Sequence, residues 1–394
     1  MAAAPHIDTK EMIARLVAFD TTSWRSNLEL IDWVEDYLAA HGARCRRTFD
    51  DDGRKANLFA TIGPERAGGI VLSGHTDVVP VEGQHWQSEP FALTERDGRL
   101  YGRGTCDMKG FLAIALALAP EMAGAPLQRP IHLALSYDEE VGCFGVGRLI
   151  ADVTANLPRP AAVIVGEPSE MRPVNAHKGV RVYRTVVRGR AAHSSQPQLG
   201  ANAIIAAARI VEFIRQRAQR HRLEGPHDAR FVPPYTSFQV GRIEGGTATN
   251  IVAEHCSLLW EFRPLPGDDG DAIEAGVLGF IDDEVLPELR QTAPEAAVTT
   301  ERIAGVVPLA PENAGVAEAL IRQLTGANEA GAVSFATEGG LFQAAGLSTI
   351  ICGPGSIDQA HQPDEFIALS QVAACEAFVR RVIDWASGRP VRAS

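Results

Sequence analysis

The chain has 394 residues, 45% hydrophobic and 22% charged, an ordinary globular composition that excludes intrinsic disorder for its bulk and suggests two or three domains. Lys+Arg 37 against Asp+Glu 49 gives a net charge of −12, so the excess basic charge that attracts nucleic-acid backbones or anionic membranes is missing.

The opening Met-Ala-Ala-Ala-Pro has no basic stretch followed by an apolar one, and no signal peptide is expected. The first predicted element is an amphipathic helix. Ser26 or Asn27 offers a cap, Leu28, Ile31, Val34 and Leu38 recur at helical spacing, and Gly42 ends it. Short apolar runs then alternate with helical stretches, the pattern of an α/β domain with a mostly parallel sheet covered on both faces. Even the longest apolar run, residues 111–119, is too short to cross a bilayer. Four of the apolar runs end alike. Residues 69–73 lead into Gly74-His75-Thr76-Asp77, 131–137 into Asp138-Glu139-Glu140, 162–165 into Gly166-Glu167-Pro168, and 348–352 into Gly353-Pro354-Gly355 with His361 soon after. Open α/β sheets bind ligands beyond the C-terminal ends of their strands, so these residues form one candidate site.

The middle of the chain has another rhythm: a strand at 180–187, a helix at 201–217, strands at 236–243 and 256–262, a helix near 271–285 and a strand near 296–303. This β-α-β-β-α-β order is the ferredoxin-like unit, with the Pro-rich segment 221–235 as a surface loop. It predicts a second domain at 180–306 inserted into a discontinuous first domain, 1–179 and 307–394. The chain returns to the large sheet through 317–324 and 348–352. Six cysteines without a C-x-x-C pair are expected to be reduced thiols in a cytoplasmic protein.

Taken singly, the polar residues at the strand ends have ordinary readings: a His–Asp surface pair, a solvated acidic loop, a helix cap at Asp107. Together they do not. Three carboxylates (Asp107, Glu140, Glu167) and two imidazoles (His75, His361) on one sheet edge would repel and resist ionisation without a cation. Two divalent ions reverse that balance, and mixed N/O ligation suits zinc, with cobalt or manganese as substitutes.

The stretches SGHTDVVP (73–80), YGRGTCDMKG (101–110), DEEVGCFG (138–145), GEPS (166–169), AHSSQP (192–197), TATNIVAE (247–254) and GPGSIDQAHQPDE (353–365) resemble, in order, the dinuclear zinc aminoacylase and carboxypeptidase superfamily. GPGSIDQAHQPDE and ATEGG at 336–340 resemble its acetylornithine deacetylase branch. The resemblance implies that Asp107 bridges two zinc ions per subunit, His75 and Glu167 completing one and Glu140 and His361 the other. It implies that the Asp77 carboxylate accepts the second ring N–H of His75, that Glu139 is the proton shuttle, and that the Asp107–Met108 peptide is cis. His193 is expected to enter the partner subunit's site as an oxyanion donor and Asn250 to bind substrate, in a homodimer formed through the inserted domains.

Arg263 suits a substrate α-carboxylate, which backbone N–H groups at 353–356, Gly355 included, are expected to share. Thr337 and Glu338 are expected at the metal mouth, Glu338 pairing with a cationic substrate end such as the ornithine δ-ammonium. The implied activity is hydrolysis of an N-acyl-L-amino acid, N-acetyl-L-ornithine to L-ornithine and acetate in arginine biosynthesis. Succinyl-diaminopimelate desuccinylase, broad aminoacylase and metallo-carboxypeptidase or dipeptidase are the sibling alternatives. A non-catalytic metal-binding protein would lack a ligand or the base, and here every such position is filled.

Overall fold

The computed structural model describes residues 6–390; the opening segment, over which no signal peptide is expected, lies partly outside them. The chain divides into two compact units, one running to Ala176 and resuming over Leu309–Ala332 and from Thr337 onward, the other made of His177–Pro308 and Val333–Ala336. Among the described residues, no helix is long and apolar enough to cross a membrane.

The first unit is built on an eight-stranded sheet in the order Arg44–Phe49, Ala56–Ile62, Ile131–Ser136, Ile70–His75, Ala162–Pro168, Thr349–Gly353, Val174–His177, Gly331–Val333. Its four central strands, Ile131–Ser136 through Thr349–Gly353, are parallel. Every residue in them is buried, as a sheet covered by helices on both faces requires. Arg44–Phe49 and Ala56–Ile62 continue the sheet on one side, and Val174–His177 joins Thr349–Gly353 on the other, by antiparallel pairing. The longest apolar run of the sequence becomes the helix Lys109–Ala117, buried along its whole length. A Cβ on Gly166 would lie 2.1 Å from the Phe111 ring, so the absent side chain is what lets this helix meet the strand that carries Glu167. A small three-stranded sheet, Phe366–Ala368, Arg99–Tyr101 and Thr94–Arg96, is absent from the sequence reading because each strand has only three residues.

The first predicted helix is the second observed one, Leu28–Ala40, after Thr9–Val17. Gly42 follows it at φ +80°, as its role in ending the helix demands. Asn27 stands at the N-cap position, but it is the Ser26 hydroxyl that accepts from Leu28 N, at 3.2 Å. The buried Asn27 amide instead donates to Ala56 O at 2.9 Å and Thr76 Oγ1 at 3.0 Å and accepts from Ala56 N at 3.0 Å, tying the helix entry to two segments of the sheet.

The second unit is a four-stranded antiparallel sheet in the order Ser237–Gly245, His255–Arg263, Val180–Arg188, Ala297–Val306, with the helices Ala203–Glu224 and Gly270–Phe280 between strands. Its core centres on Trp260, stacked on Tyr183 at 4.2 Å. Asn202 caps the long helix through Ile204 N and Ile205 N. That helix continues past the predicted end at 217 to Glu224, so the Pro-rich loop is shorter than expected. Buried Lys178 holds the loop by donating to Pro233 O and Tyr235 O, each at 2.7 Å. The second helix passes through a π-helical turn, Ile281–Val285, into Leu286–Thr292.

Asn27→Ala removes three buried hydrogen bonds and strands the Ala56 main-chain groups. It should lower stability by about 1–3 kcal/mol in a denaturant titration, with the secondary structure of the folded form unchanged.

Candidate metal centre

The strand ends bring the predicted ligands together. His75 closes Ile70–His75, Glu167 lies near the end of Ala162–Pro168, and Glu139 and Glu140 follow Ile131–Ser136. Asp107 comes from the turn before Lys109–Ala117, through a cis Asp107–Met108 peptide as expected. His361 follows Thr349–Gly353 in a loop where it adopts φ +61°. His75 Nε2 lies 3.0 Å from Asp107 Oδ1 and 3.8 Å from Glu167 Oε1. His361 Nε2 lies 2.9 Å from Glu140 Oε2 and 3.3 Å from Asp107 Oδ2. Asp107 therefore faces both imidazoles, one with each oxygen. Ligand atoms of His75, Asp107 and Glu140 fall within 4.8 Å of one another, as do those of His75, Glu139 and Glu167.

The electrostatics show what such a cluster costs. Burial, aided by the charge of Asp107, pushes Glu140 up to about 7. Burial also lifts Glu139 and Glu167 well above the usual carboxylate range, neighbouring acids adding to it. Burial would raise Asp107 too, but hydrogen bonds from His361 and His75 carry it below that range. His361 is raised to about 10 by its bonds to Asp107 and Glu140. His75 is raised well above the usual imidazole value; burial opposes the shift, and the Asp107 hydrogen bond with the surrounding acids outweighs it. Glu140 Oε1 is buried without a hydrogen-bond partner. Glutamates pushed toward their neutral forms, imidazoles toward their charged ones and an orphaned oxygen mark a donor set short of positive charge. Divalent cations satisfy the same atoms with the acids ionised and the imidazoles neutral, so the residues fit a metal centre.

Three expectations need correction. First, His75 Nδ1 donates to the main-chain carbonyl of Asp77 at 2.8 Å, its carboxylate Oδ1 being 3.6 Å away. The carboxylate works on the neighbouring loop: Oδ1 accepts from Glu139 N at 3.0 Å, and Oδ2 from Glu140 N at 3.2 Å and Ser23 Oγ at 2.7 Å. Second, the main-chain N–H groups at 353–356 form no open nest. Gly353 N donates to Ser169 Oγ, Gly355 N to Gln371 Oε1 and Ser356 N to Gln359 Oε1, all at 3.1 Å. Gly355 is needed for space: at φ +86° its Cβ would lie 2.5 Å from Cys106 Sγ. Third, Glu338 is not at a mouth. It is buried, its two oxygens accepting from the hydroxyls of Ser136 and Ser73 on the central strands, and burial raises it to about 7. Thr337 is likewise buried, its hydroxyl accepting from Gly339 N at 3.0 Å.

The remaining predicted residues belong to the second unit. His193 and Asn250 occupy adjoining loops, joined by Ser194 N donating to Asn250 O at 3.0 Å and a bridge between His193 and Ile251. Both are exposed, and His193 Nδ1 hydrogen-bonds Ser195 Oγ at 2.7 Å. Arg263 ends its strand, its Nε donating to Glu261 at 2.9 Å.

With this geometry in view, comparison with known proteins is decisive. Residues 71–385 match the family described as Peptidase family M20/M25/M40. The chain belongs to that family. It is 36% identical over 383 residues to an acetylornithine deacetylase of Myxococcus xanthus, covering 94% of this chain and 95% of that protein. Its fold is that of an M20-family metallo-carboxypeptidase from Sulfolobus solfataricus, with TM-score 0.73 at 18% identity over 97% and 99% of the two chains. A dinuclear-metal-binding M20-family peptidase of Bacillus subtilis is similar with TM-score 0.59 at 14% identity, over 95% and 96%. The chain is thus an M20-family hydrolase, a member of a metal-dependent class.

The M20 site has supports that the sequence reading missed. Ser23 belongs to a segment that straps His75–Val78: Ser23 N donates to Val78 O and Val78 N to Thr21 O, each at 3.2 Å. Lys55 ion-pairs with Asp138 and also donates to Ser23 O. The Cys143 thiol donates to Glu139 Oε1 at 3.3 Å. The polar cluster Asp20-Thr-Thr-Ser was the one visible signal for the strap.

Asp77→Asn replaces an acceptor of three hydrogen bonds by a group that presents two hydrogens to N–H and O–H donors. Steady-state kinetics should show hydrolysis down by about 10–100-fold, with the fold retained by circular dichroism.

Proposed function

We propose that this hydrolase removes the acyl group from an N-acyl-L-amino acid, with N-acetyl-L-ornithine the foremost substrate, releasing L-ornithine and acetate. The observation that carries the reading is a half-buried carboxylate, Glu139, among five potential ligands and tethered through its own N–H to Asp77. The relationship to the Myxococcus xanthus enzyme along nearly the whole of both chains supports the substrate. Asp107 would bridge two divalent ions, His75 and Glu167 completing one and Glu140 and His361 the other; a dinuclear-metal-binding relative of the same fold supports the count. Zinc suits the N/O donor set. When bound, the ions supply electrophilic polarisation of the scissile carbonyl and a more acidic water.

The chain's own residues account for the rest. Glu139 takes a proton from the attacking water as the water oxygen adds to the acyl carbon. It returns that proton to the amine nitrogen as the C–N bond breaks, leaving acetate and the free amine. The low-dielectric surroundings that raise Glu139 suit a group that must hold a proton between these events. Asp77 positions the Glu139–Glu140 main chain. Arg263 pairs with the substrate α-carboxylate, and Asn250 binds near it.

His193 stabilises the developing oxyanion in the site of a partner subunit. The exposed state of His193, and the exposed apolar Ile204, Ile205, Ile243 and Ile251 of the same unit, support a homodimer formed through that unit. Ile243 lies on Ser237–Gly245, the edge strand of its sheet. Six free cysteines are consistent with the reducing cytoplasm.

The test is amine release from N-acetyl-L-ornithine, N-acetylmethionine and N-succinyl-diaminopimelate by zinc-loaded and chelator-stripped protein, with Glu139→Gln alongside. Chelator-sensitive turnover favouring acetylornithine is expected. Glu139→Gln should retain its zinc by elemental analysis and lose about 10²–10⁴-fold in kcat. Preference for another substrate discards acetylornithine, and turnover near normal in Glu139→Gln discards the base. Mixed dimers of Glu139→Gln and His193→Ala test the partner's role. Each variant alone should be inactive and the mixture active, because one site per mixed dimer holds both groups; a mixture that stays inactive places His193 elsewhere in the reaction.

A further inference from the structure

Glu365 closes the stretch that carries His361, and its side chain is 1% exposed. Four donors of the loop that carries Asp107 converge on it. Oε1 accepts from Cys106 N at 2.8 Å and Asp107 N at 3.0 Å; Oε2 accepts from Gly104 N at 3.0 Å and Arg103 Nη1 at 2.8 Å. The Glu365 carbonyl also accepts from Gly102 N at 2.9 Å. The next residue, Phe366, pairs with Tyr101 in the small sheet, so strand pairing delivers Glu365 to this loop. Arg103 is itself fully enclosed. It donates to Gln362 O at 3.3 Å and to Gln84, and its guanidinium lies 4.9 Å from the Trp86 ring. Gln84 closes the circuit, its Nε2 donating to His361 O at 2.9 Å.

We propose that Glu365 is a positioning residue for the metal centre, fixing the Asp107 main chain against the His361 segment so that both side chains are in place before a cation binds. The inference rests on the reading of Asp107 and His361 as ligands, and Glu365 itself touches neither metal nor substrate. Its chemistry explains why a carboxylate stands here. Every partner of the two oxygens is a donor, so only an acceptor-only group satisfies them all. A glutamine turned either way sets an NH₂ group against two of these donors. It also leaves the buried Arg103 guanidinium without its counter-charge. An aspartate keeps the charge but is one methylene short of the four donors.

The test is zinc affinity of the full-length protein, measured by competition with a chromogenic chelator on wild type, Glu365→Gln and Glu365→Asp. Melting temperatures of the metal-free forms and kcat at limiting and excess zinc accompany it. Folded Glu365→Gln should bind its weaker zinc about 10–100-fold less tightly, recover kcat in excess zinc and keep KM. Glu365→Asp should fall between it and wild type, and it carries the test alone should the glutamine variant not fold. Wild-type zinc affinity in a folded variant whose melting temperature has dropped would make Glu365 purely structural and overturn the proposal. A wild-type protein that binds no zinc would overturn the metal centre and the clamp together, whereas altered affinity without acetylornithine turnover would count against the substrate alone.

Discussion

Buried like charge is the constraint on which the structure turns. Asp107, Glu140 and Glu167 are drawn from three different segments into a space where water cannot screen them, with Glu139 and Glu338 adding to the same field. Burial pushes Glu140 and Glu167 toward their neutral forms, whereas hydrogen bonds from His361 and His75 hold Asp107 toward its ionised one; acids held ionised without compensation oppose folding. Parallel strands deliver most of the cluster because strand ends on one side of the sheet share a direction: Glu140 follows Ile131–Ser136, His75 closes the neighbouring strand and Glu167 lies near the end of the next, while Asp107 comes from the turn before Lys109–Ala117. The central strands are buried along their length and mostly apolar, so their polar groups gather toward the C-terminal ends. The metal-dependent character of the family is then the natural partner of an arrangement that otherwise has to protonate its acids and charge its imidazoles.

Around that cluster, two further buried acids share a second task. The Asp77 carboxylate receives the N–H groups of Glu139 and Glu140, and Glu365 those of Gly104, Cys106 and Asp107. In each case a buried acceptor grips the main chain of a ligand-bearing loop and leaves the side chains of that loop to face inward. Loops have no ladder of their own to satisfy their N–H groups, and burying them unpaired would be costly. A carboxylate can take several at once, and the charge-assisted bonds are stronger than neutral ones. The site is therefore rigid because its loops are bonded to side chains, whereas its floor is rigid because it is a sheet.

This division also explains what the sequence revealed. The four apolar runs, the acids and histidines beyond them and the β-α-β-β-α-β order of the middle region were legible because periodicity and strand-end placement are local properties. The functions of Asp77, Gly355 and Glu338 were not. Sequence proximity suggested the Asp77 carboxylate for His75, but the ring takes the nearer carbonyl, leaving the carboxylate free for a loop some 60 positions away. Main-chain N–H groups around Gly355 looked open because glycine-rich turns often bind anions, yet Ser169 and Gln371 occupy two of them from outside the turn and Gln359, three residues on, takes Ser356 N. Glu338 was expected at the metal mouth because nothing nearby in sequence announces Ser73 and Ser136 as its partners. The three-residue strands that join Arg99–Tyr101 to Phe366–Ala368 are too short to carry a pattern, so the proximity of Glu365 to Asp107 was invisible without the fold.

The two units also differ in how freely they can change. In the first, the candidate ligands other than the half-exposed His361 are enclosed by apolar core and by loops whose main-chain polar groups are largely paired, so a substitution there disturbs several bonds at once. In the second, His193, Asn250 and Arg263 stand on loops or at a strand end, exposed or half-exposed, over a core of Tyr183, Trp260 and Phe262 that does not depend on them. Packing therefore restrains the groups that would hold metal and move the proton, and it leaves the groups proposed to read the substrate comparatively free. The fold itself is shared at 18% identity with a metallo-carboxypeptidase. A fold of this kind keeps its sheet and core while the exposed side chains of the second unit vary, because replacing them costs its packing little.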